Sequence, residues 1–138
     1  MLICHDSCGQ CFSDTKVIAQ GQSHPSIFRD MQKEPVVLGH EVAMTIVGVG
    51  QGRRECYWVG DRLTLETDIV VKGKTYAYGY WYQSGLSQFS VIGPKIYACD
   101  LGNNLIKVRP DKSYAKIALI EPWACVVAAY ALKYRTGL

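Results

Sequence analysis

The run from Val36 to Val49, VVLGHEVAMTIVGV, constrains this chain more than any other stretch. It is apolar and rich in β-branched residues, so it reads as a buried strand, interrupted by Gly39. A histidine in an apolar strand is ordinarily a satisfied core residue. Here His40 stands between Gly39 and Glu41, and that context makes it a metal-ligand candidate.

Short strands and turns continue downstream. Gly50-Gln51-Gly52 marks a turn, a polar insert RREC follows, and YWVGDRLTLET resumes strand character around the turn pair Gly60-Asp61. Residues 69–82, IVVKGKTYAYGYWY, predict a hairpin about Lys72-Gly73-Lys74 with aromatics on the return strand. GLSQFSVIG and KIYACDLGNNLIKV add two or three short strands, separated by Gly93-Pro94 and Gly102-Asn103-Asn104. Many short strands with regular turns predict a β-barrel or sandwich.

The last quarter reads differently. Ser113 suits the N-cap of a short helix through Ile120, and Pro122 the first position of a second helix. Proline restricts the residue before it, so Glu121 is expected outside helical geometry, at a joint with its carboxylate aimed inward. Trp123, Val127, Tyr130 and Tyr134 fall at helical spacing and predict a buried face, with Gly137 as a terminating cap. The expected fold class is therefore mainly β with C-terminal helices, an α+β chain.

The 138 residues suffice for one modest domain. The net charge of +3 is small and the basic residues are scattered, which argues against nucleic acid or an anionic membrane surface as partner. No apolar run approaches the ~20 residues needed to span a bilayer. The start, MLICHDS, lacks the pattern of a signal peptide. Of six cysteines, Cys4, Cys8 and Cys11 crowd into the first eleven residues, unlike a secreted disulfide framework. A reduced, cytoplasmic protein with a thiolate metal ligand is expected.

Three segments can carry chemistry: CHDSCGQCFSD at residues 4–14, Gly39-His40-Glu41, and Glu121-Pro122. A catalytic zinc takes three protein ligands of nitrogen, sulfur or carboxylate type and keeps one position open. Cys11, His40 and Glu121 supply one of each from well-separated segments.

In this order, CGQCFSD, GHE, a Val-Gly-x-Gly turn, GDR, GLSQFSVI and EPWAC resemble the medium-chain zinc-dependent alcohol dehydrogenases. The Glu-Pro element resembles their polyol (sorbitol-type) branch. The resemblance runs from about Cys8 to the last residue. It implies a GroES-like, partly open β-barrel, incomplete at its N-terminal side, over residues 1–138. It assigns Cys11, His40 and Glu121 to the zinc and lets Glu41 join them. Ser13 matches the hydroxyl that contacts the substrate oxygen and starts a proton relay. Asp14 matches the carboxylate that orients the ligand histidine. The implied reaction is zinc-polarised hydride transfer from a small alcohol, polyol or sugar-phosphate to NAD or NADP.

The same resemblance implies that the nicotinamide cofactor sits on a separate dinucleotide-binding domain. No Gly-rich phosphate turn occurs in these residues, so that domain is expected to be absent and the chain to be a piece of a longer, homo-oligomeric protein. Residues 63–82 lack the closely spaced cysteines of a structural zinc lobe, so one catalytic zinc and no structural zinc are expected. Met44 replaces the glycine that the family has three residues after the glutamate of GHE.

Two rival readings compete with this one. The spacing Cys4-x3-Cys8-x2-Cys11 resembles the [4Fe–4S] motif of radical S-adenosylmethionine enzymes, although Gln10 stands where that family prefers an aromatic and no repeated βα units occur. A non-catalytic GroES-like zinc-binding module is the other. Blander expectations apply elsewhere: Cys56, Cys99 and Cys125 as small buried hydrophobes, Cys4 and Cys8 as structural, and His5 and His24 as surface or loop residues. Asp61 and Arg62 read as a turn and a surface ion pair. Tyr76, Tyr78, Tyr80, Trp81 and Tyr82 read as strand packing, with some able to line a substrate cleft.

Overall fold

A computed structural model describes residues 1–53 and 55–130. In chain order the elements are β1 (Leu2–Cys8), α1 (Phe12–Gln20), β2 (Val42–Gly48), β3 (Arg62–Leu65), β4 (Asp68–Val71), β5 (Lys74–Ala77), β6 (Phe89–Val91), α2 (Pro94–Tyr97), β7 (Leu105–Val108), α3 (Tyr114–Ala118) and α4 (Ile120–Tyr130). Five strands form one antiparallel sheet in the order β6-β1-β2-β3-β7, and β4 pairs with β5 in a separate hairpin. The sheet is open. This agrees with the partly open barrel that the resemblance implied, since β6 and β7 lie at opposite edges.

The central strand β2 explains its own composition. Val42, Met44 and Ile46 point into the main core beside Ile3, Leu63, Leu65 and Ile69, while Ala43 on the other face packs against Ile117 and Ala118 of α3. A strand covered on both faces has no polar alternation to show. Met44 is fully buried and fills core space, and the Tyr78 hydroxyl approaches its sulfur at 3.9 Å.

The hairpin forms where the turn chemistry demands it. Lys72 and Gly73 both have positive φ (53° and 70°), the two-residue geometry that matches the twist of paired strands.

Several expectations give way to the structure. The strand within residues 36–49 begins only at Val42. Gly39 takes φ 91°, and the carbonyls of Leu38 and Gly39 accept from Leu86 and Gly85, so this segment joins a loop instead of extending β2. Pro94–Tyr97 is a helical turn, started by proline at its first position. The first helix after Ser113 stops at Ala118, and α4 already includes Glu121. Pro122 is its third residue, where a missing N–H removes no intrahelical bond. The face through Trp123, Val127 and Tyr130 is exposed, not buried; Tyr134 and Gly137 lie outside the described residues. Cys56 and Cys125 are exposed, and Cys99 is partly buried with its thiol donating to Asn104 Oδ1 at 2.9 Å.

Candidate metal centre

The strand β1 delivers the chain to the site. At its end Gly9 N–H donates to the Glu41 carbonyl at 2.7 Å, and Cys11 then becomes the N-cap of α1. Three residues on, Asp14 reaches back: its Oδ2 accepts the Cys11 N–H at 3.0 Å, and the Asp14 N–H donates to the Cys11 carbonyl at 3.0 Å. A carboxylate in the first turn of a helix also lies in the favourable part of the helix dipole. The other oxygen, Oδ1, accepts the Gly39 N–H at 3.2 Å and lies 3.6 Å from His40 Nδ1. One buried carboxylate therefore ties the Cys11 turn to the His40 loop.

Cys11, His40 and Glu41 each bring one ligand atom to a group whose members lie within 4.8 Å of one another, and no other such group of His, Cys, Asp or Glu forms among the described residues. His40 and Glu41 are buried and Cys11 partly so. His40 Nδ1 is buried without a hydrogen-bond partner and turned toward Asp14, which leaves Nε2 as the nitrogen for a ligand bond. A thiolate, an imidazole and a carboxylate form a donor set suited to zinc, and the Asp14 carboxylate fits the outer partner a zinc-bound histidine uses.

Two glycines and a cysteine shape the back of the site. A Cβ on Gly9 would stand 2.0 Å from Glu41 Oε2, so a side chain there would displace that carboxylate. A Cβ on Gly39 or Gly85 would come within 2.5 Å of Cys8 Sγ. Cys8 is a wedge between them. Burial, then the charges of Asp14 and Glu41, push its thiol up to about 11, and it donates to its neighbour's carbonyl, Gly9 O, at 3.2 Å. Cys4, Cys8 and Cys11 do not gather into a three-thiol group, which removes the cluster reading.

Ser13 lies one residue before Asp14, its Oγ buried beside the Tyr80 phenol. It acts on the Tyr80 phenol, which burial pushes up, Ser13 lowers, and Asp14 and Cys11 raise further. Tyr80 was legible only as one aromatic among several. Its ring lies 6.3 Å from that of His40 and stacks on His24 at 5.3 Å. His24 is buried, its Nδ1 accepting the Ser26 N–H at 3.2 Å, so it is not a surface residue. His5 is not one either: Nδ1 bonds Ser87 O at 2.8 Å and Nε2 meets the Tyr78 hydroxyl at 2.9 Å. His24 does lie in a loop, as expected, but a buried one, whereas His5 lies in β1, and no local signal in the sequence marks either position.

Glu121, in the first turn of α4, stands outside the 4.8 Å group. Burial raises its carboxyl pKa, His40 and Cys125 oppose that, and Glu41 and Glu66 add to it. The Cys125 thiol, one turn on, approaches Glu121 Oε1 at 3.6 Å. Asp61 and Arg62 are structural, as their sequence suggested. Asp61 pairs with Lys107 at 2.6 Å, and the Arg62 guanidinium donates to Pro110 O and Lys112 O at 2.9 and 2.7 Å while lying over Tyr114. No helix among the described residues is long and apolar enough to cross a membrane.

The chain is similar to known proteins in sequence and in fold. The chain is 31% identical over 138 residues to mannitol-1-phosphate 5-dehydrogenase of Aliivibrio fischeri, covering 99% of this chain and 31% of that protein. It is 33% identical over 135 residues to (R,R)-butanediol dehydrogenase of Bacillus subtilis, covering 91% of this chain and 37% of that one. The chain thus spans about a third of the length of these curated relatives. Among solved structures, a zinc-binding dehydrogenase from Sinorhizobium meliloti bound to NADP superposes with a TM-score of 0.72 at 20% identity, over 97% of this chain and 38% of that one. Galactitol-1-phosphate dehydrogenase from Escherichia coli gives 0.70 at 20% identity, over 94% and 36%. The Alcohol dehydrogenase GroES-like domain family matches residues 1–109, and with an open antiparallel sheet that carries Cys11 and His40 to one point, the chain belongs to that family.

Proposed function

We propose that this chain is the metal-binding catalytic domain of a zinc-dependent alcohol or polyol dehydrogenase. The observation that carries the reading is the group of Cys11, His40 and Glu41 with Asp14 behind the histidine. Cys11, His40 and a carboxylate hold one zinc. Glu41 is the carboxylate within reach in this structure, and Glu121 faces the same group from α4. When bound, zinc supplies Lewis acidity toward an alcohol oxygen.

The chain's own residues do the rest. Asp14 fixes the His40 ring so that Nδ1 faces inward and Nε2 outward. The Ser13 hydroxyl, beside the Tyr80 phenol, accepts the proton leaving the substrate oxygen and passes it outward. Tyr80, stacked on His24, flanks the His40 ring on one side of the site. NAD or NADP, the hydride acceptor, belongs to a dinucleotide-binding domain, and the assembled protein is a cytoplasmic homo-oligomer. Its substrate is a small alcohol, polyol or sugar-phosphate; the names of the two relatives above support this class.

The test is an assay of NAD and NADP reduction with hexitols, diols and hexitol phosphates. It uses the zinc-loaded chain alone and joined to a dinucleotide-binding domain. Substrate-dependent reduction by the joined form is expected. A joined, zinc-loaded protein inactive toward all three classes overturns the reading in favour of a non-catalytic module.

A further inference from the structure

Tyr80 belongs to two places at once. It stands beside His40 and Ser13, and it walls a cavity of about 700 Å3 together with Phe28, Asp68, Lys74, Tyr76 and Trp81. Tyr80 is thus the residue through which this cavity adjoins the metal group.

The walls of the cavity are largely aromatic, and Asp68 and Lys74 are the charged residues among them. Tyr76 and Trp81 meet edge to face, with ring centroids 5.2 Å apart. The Arg29 guanidinium lies 4.5 Å above the Trp81 ring and donates to the Trp81 carbonyl, so the indole is held in place. Such faces pack well against the C–H edges of a carbon chain. Asp68 and Lys74 sit at opposite ends of the hairpin, since Asp68 pairs with Ala77 and Lys74 with Val71. At ~3.3 Å per residue, Lys74 lies about 10 Å along β5 from Ala77. Asp68, at the Tyr80 end, offers acceptors to hydroxyls. Lys74, at the far end, makes no ion pair among the described residues, so its ammonium group is free for an anion.

We propose that this cavity holds the non-reacting end of a polyol that carries a terminal phosphate, and that Lys74 is the specificity residue that reads the phosphate. A phosphate monoester carries close to two negative charges at neutral pH, enough to reward an ammonium group even near water. The aromatic walls take the carbon chain, and Asp68 takes hydroxyls nearer the metal group. This inference rests on the reading of Cys11 and His40 as the reacting end.

The experiment is calorimetric binding to the zinc-loaded chain of a hexitol 1-phosphate, the parent hexitol and inorganic phosphate. The phosphorylated hexitol should bind at least ~10-fold more tightly than the parent, a difference of about 1.4 kcal/mol. Lys74→Gln should reduce that preference to less than about twofold, and Lys74→Arg should preserve it. Because Lys74 is exposed, both variants keep the fold. No preference in the unaltered chain, or a preference that survives Lys74→Gln, overturns the proposal. So does inorganic phosphate binding as tightly as the hexitol phosphate. Zinc content measured alongside keeps the two readings apart: retention of zinc without Cys11 defeats the metal site, whereas loss of the phosphate preference alone defeats only this inference.

Discussion

Asp14 Oδ1 lies 3.6 Å from His40 Nδ1, with both side chains almost wholly withdrawn from solvent. The same carboxylate accepts the backbone N–H groups of Cys11 and Gly39. It is therefore both a helix cap and the buried charge that faces the His40 ring.

Replacing it separates charge from shape. Asp14→Asn keeps the size and one acceptor oxygen but removes the charge facing His40. Zinc affinity, measured by competition with a chromogenic chelator, should fall roughly 10- to 100-fold while the fold is kept. Unchanged affinity would show that His40 needs no orienting carboxylate.

Gly9 tests Glu41 without touching it. A methyl group at residue 9 would stand 2.0 Å from Glu41 Oε2 and 3.0 Å from its Cβ. The carboxylate must swing away, so Gly9→Ala should weaken zinc binding in the same direction as Glu41→Gln. The double variant should be no weaker than Glu41→Gln alone, because both changes remove one contact. Additive losses would mean that Gly9 acts elsewhere.

Stability should fall on both sides of neutral pH. Burial raises Tyr78 from 10.0 to about 12 and Cys8 from 9.0 to about 11. The unfolded chain releases these protons first, so stability is complete below about pH 9 and declines as pH rises toward 12. Burial also lowers the pKa of His5, against the opposing pull of Ser87 and Asp6. The unfolded chain then binds a proton that the native chain refuses, and stability declines as pH falls below the ordinary histidine range. Urea midpoints measured across pH should trace this plateau. Tyr78→Phe should flatten the alkaline limb, and an unchanged limb would remove Tyr78 from the account.

The site was more legible than the path that builds it. Cys11 and His40 stood out by residue type and context, because metal chemistry restricts which side chains can serve, while Ser13, Asp14 and Glu41 entered only through the family resemblance. The strand β1 and helix α1 were not anticipated. LICHDSC mixes polar and apolar residues without clean alternation, and α1 buries only Asp14 and Val17, so neither carries a periodic stripe. The rule on residues before proline misplaced Glu121, since the first turn of a helix tolerates proline at its third position. Helical spacing found the apolar face of α4, but spacing reports only that a face is apolar, not that something covers it.

The central claim is a single zinc held through Cys11, and metal analysis of the purified chain tests it most directly. The unaltered chain should carry about one zinc per molecule, and Cys11→Ala should lose it or bind it far more weakly, because a thiolate ligand contributes a large share of such a site's affinity. Full retention of zinc by Cys11→Ala would contradict the account.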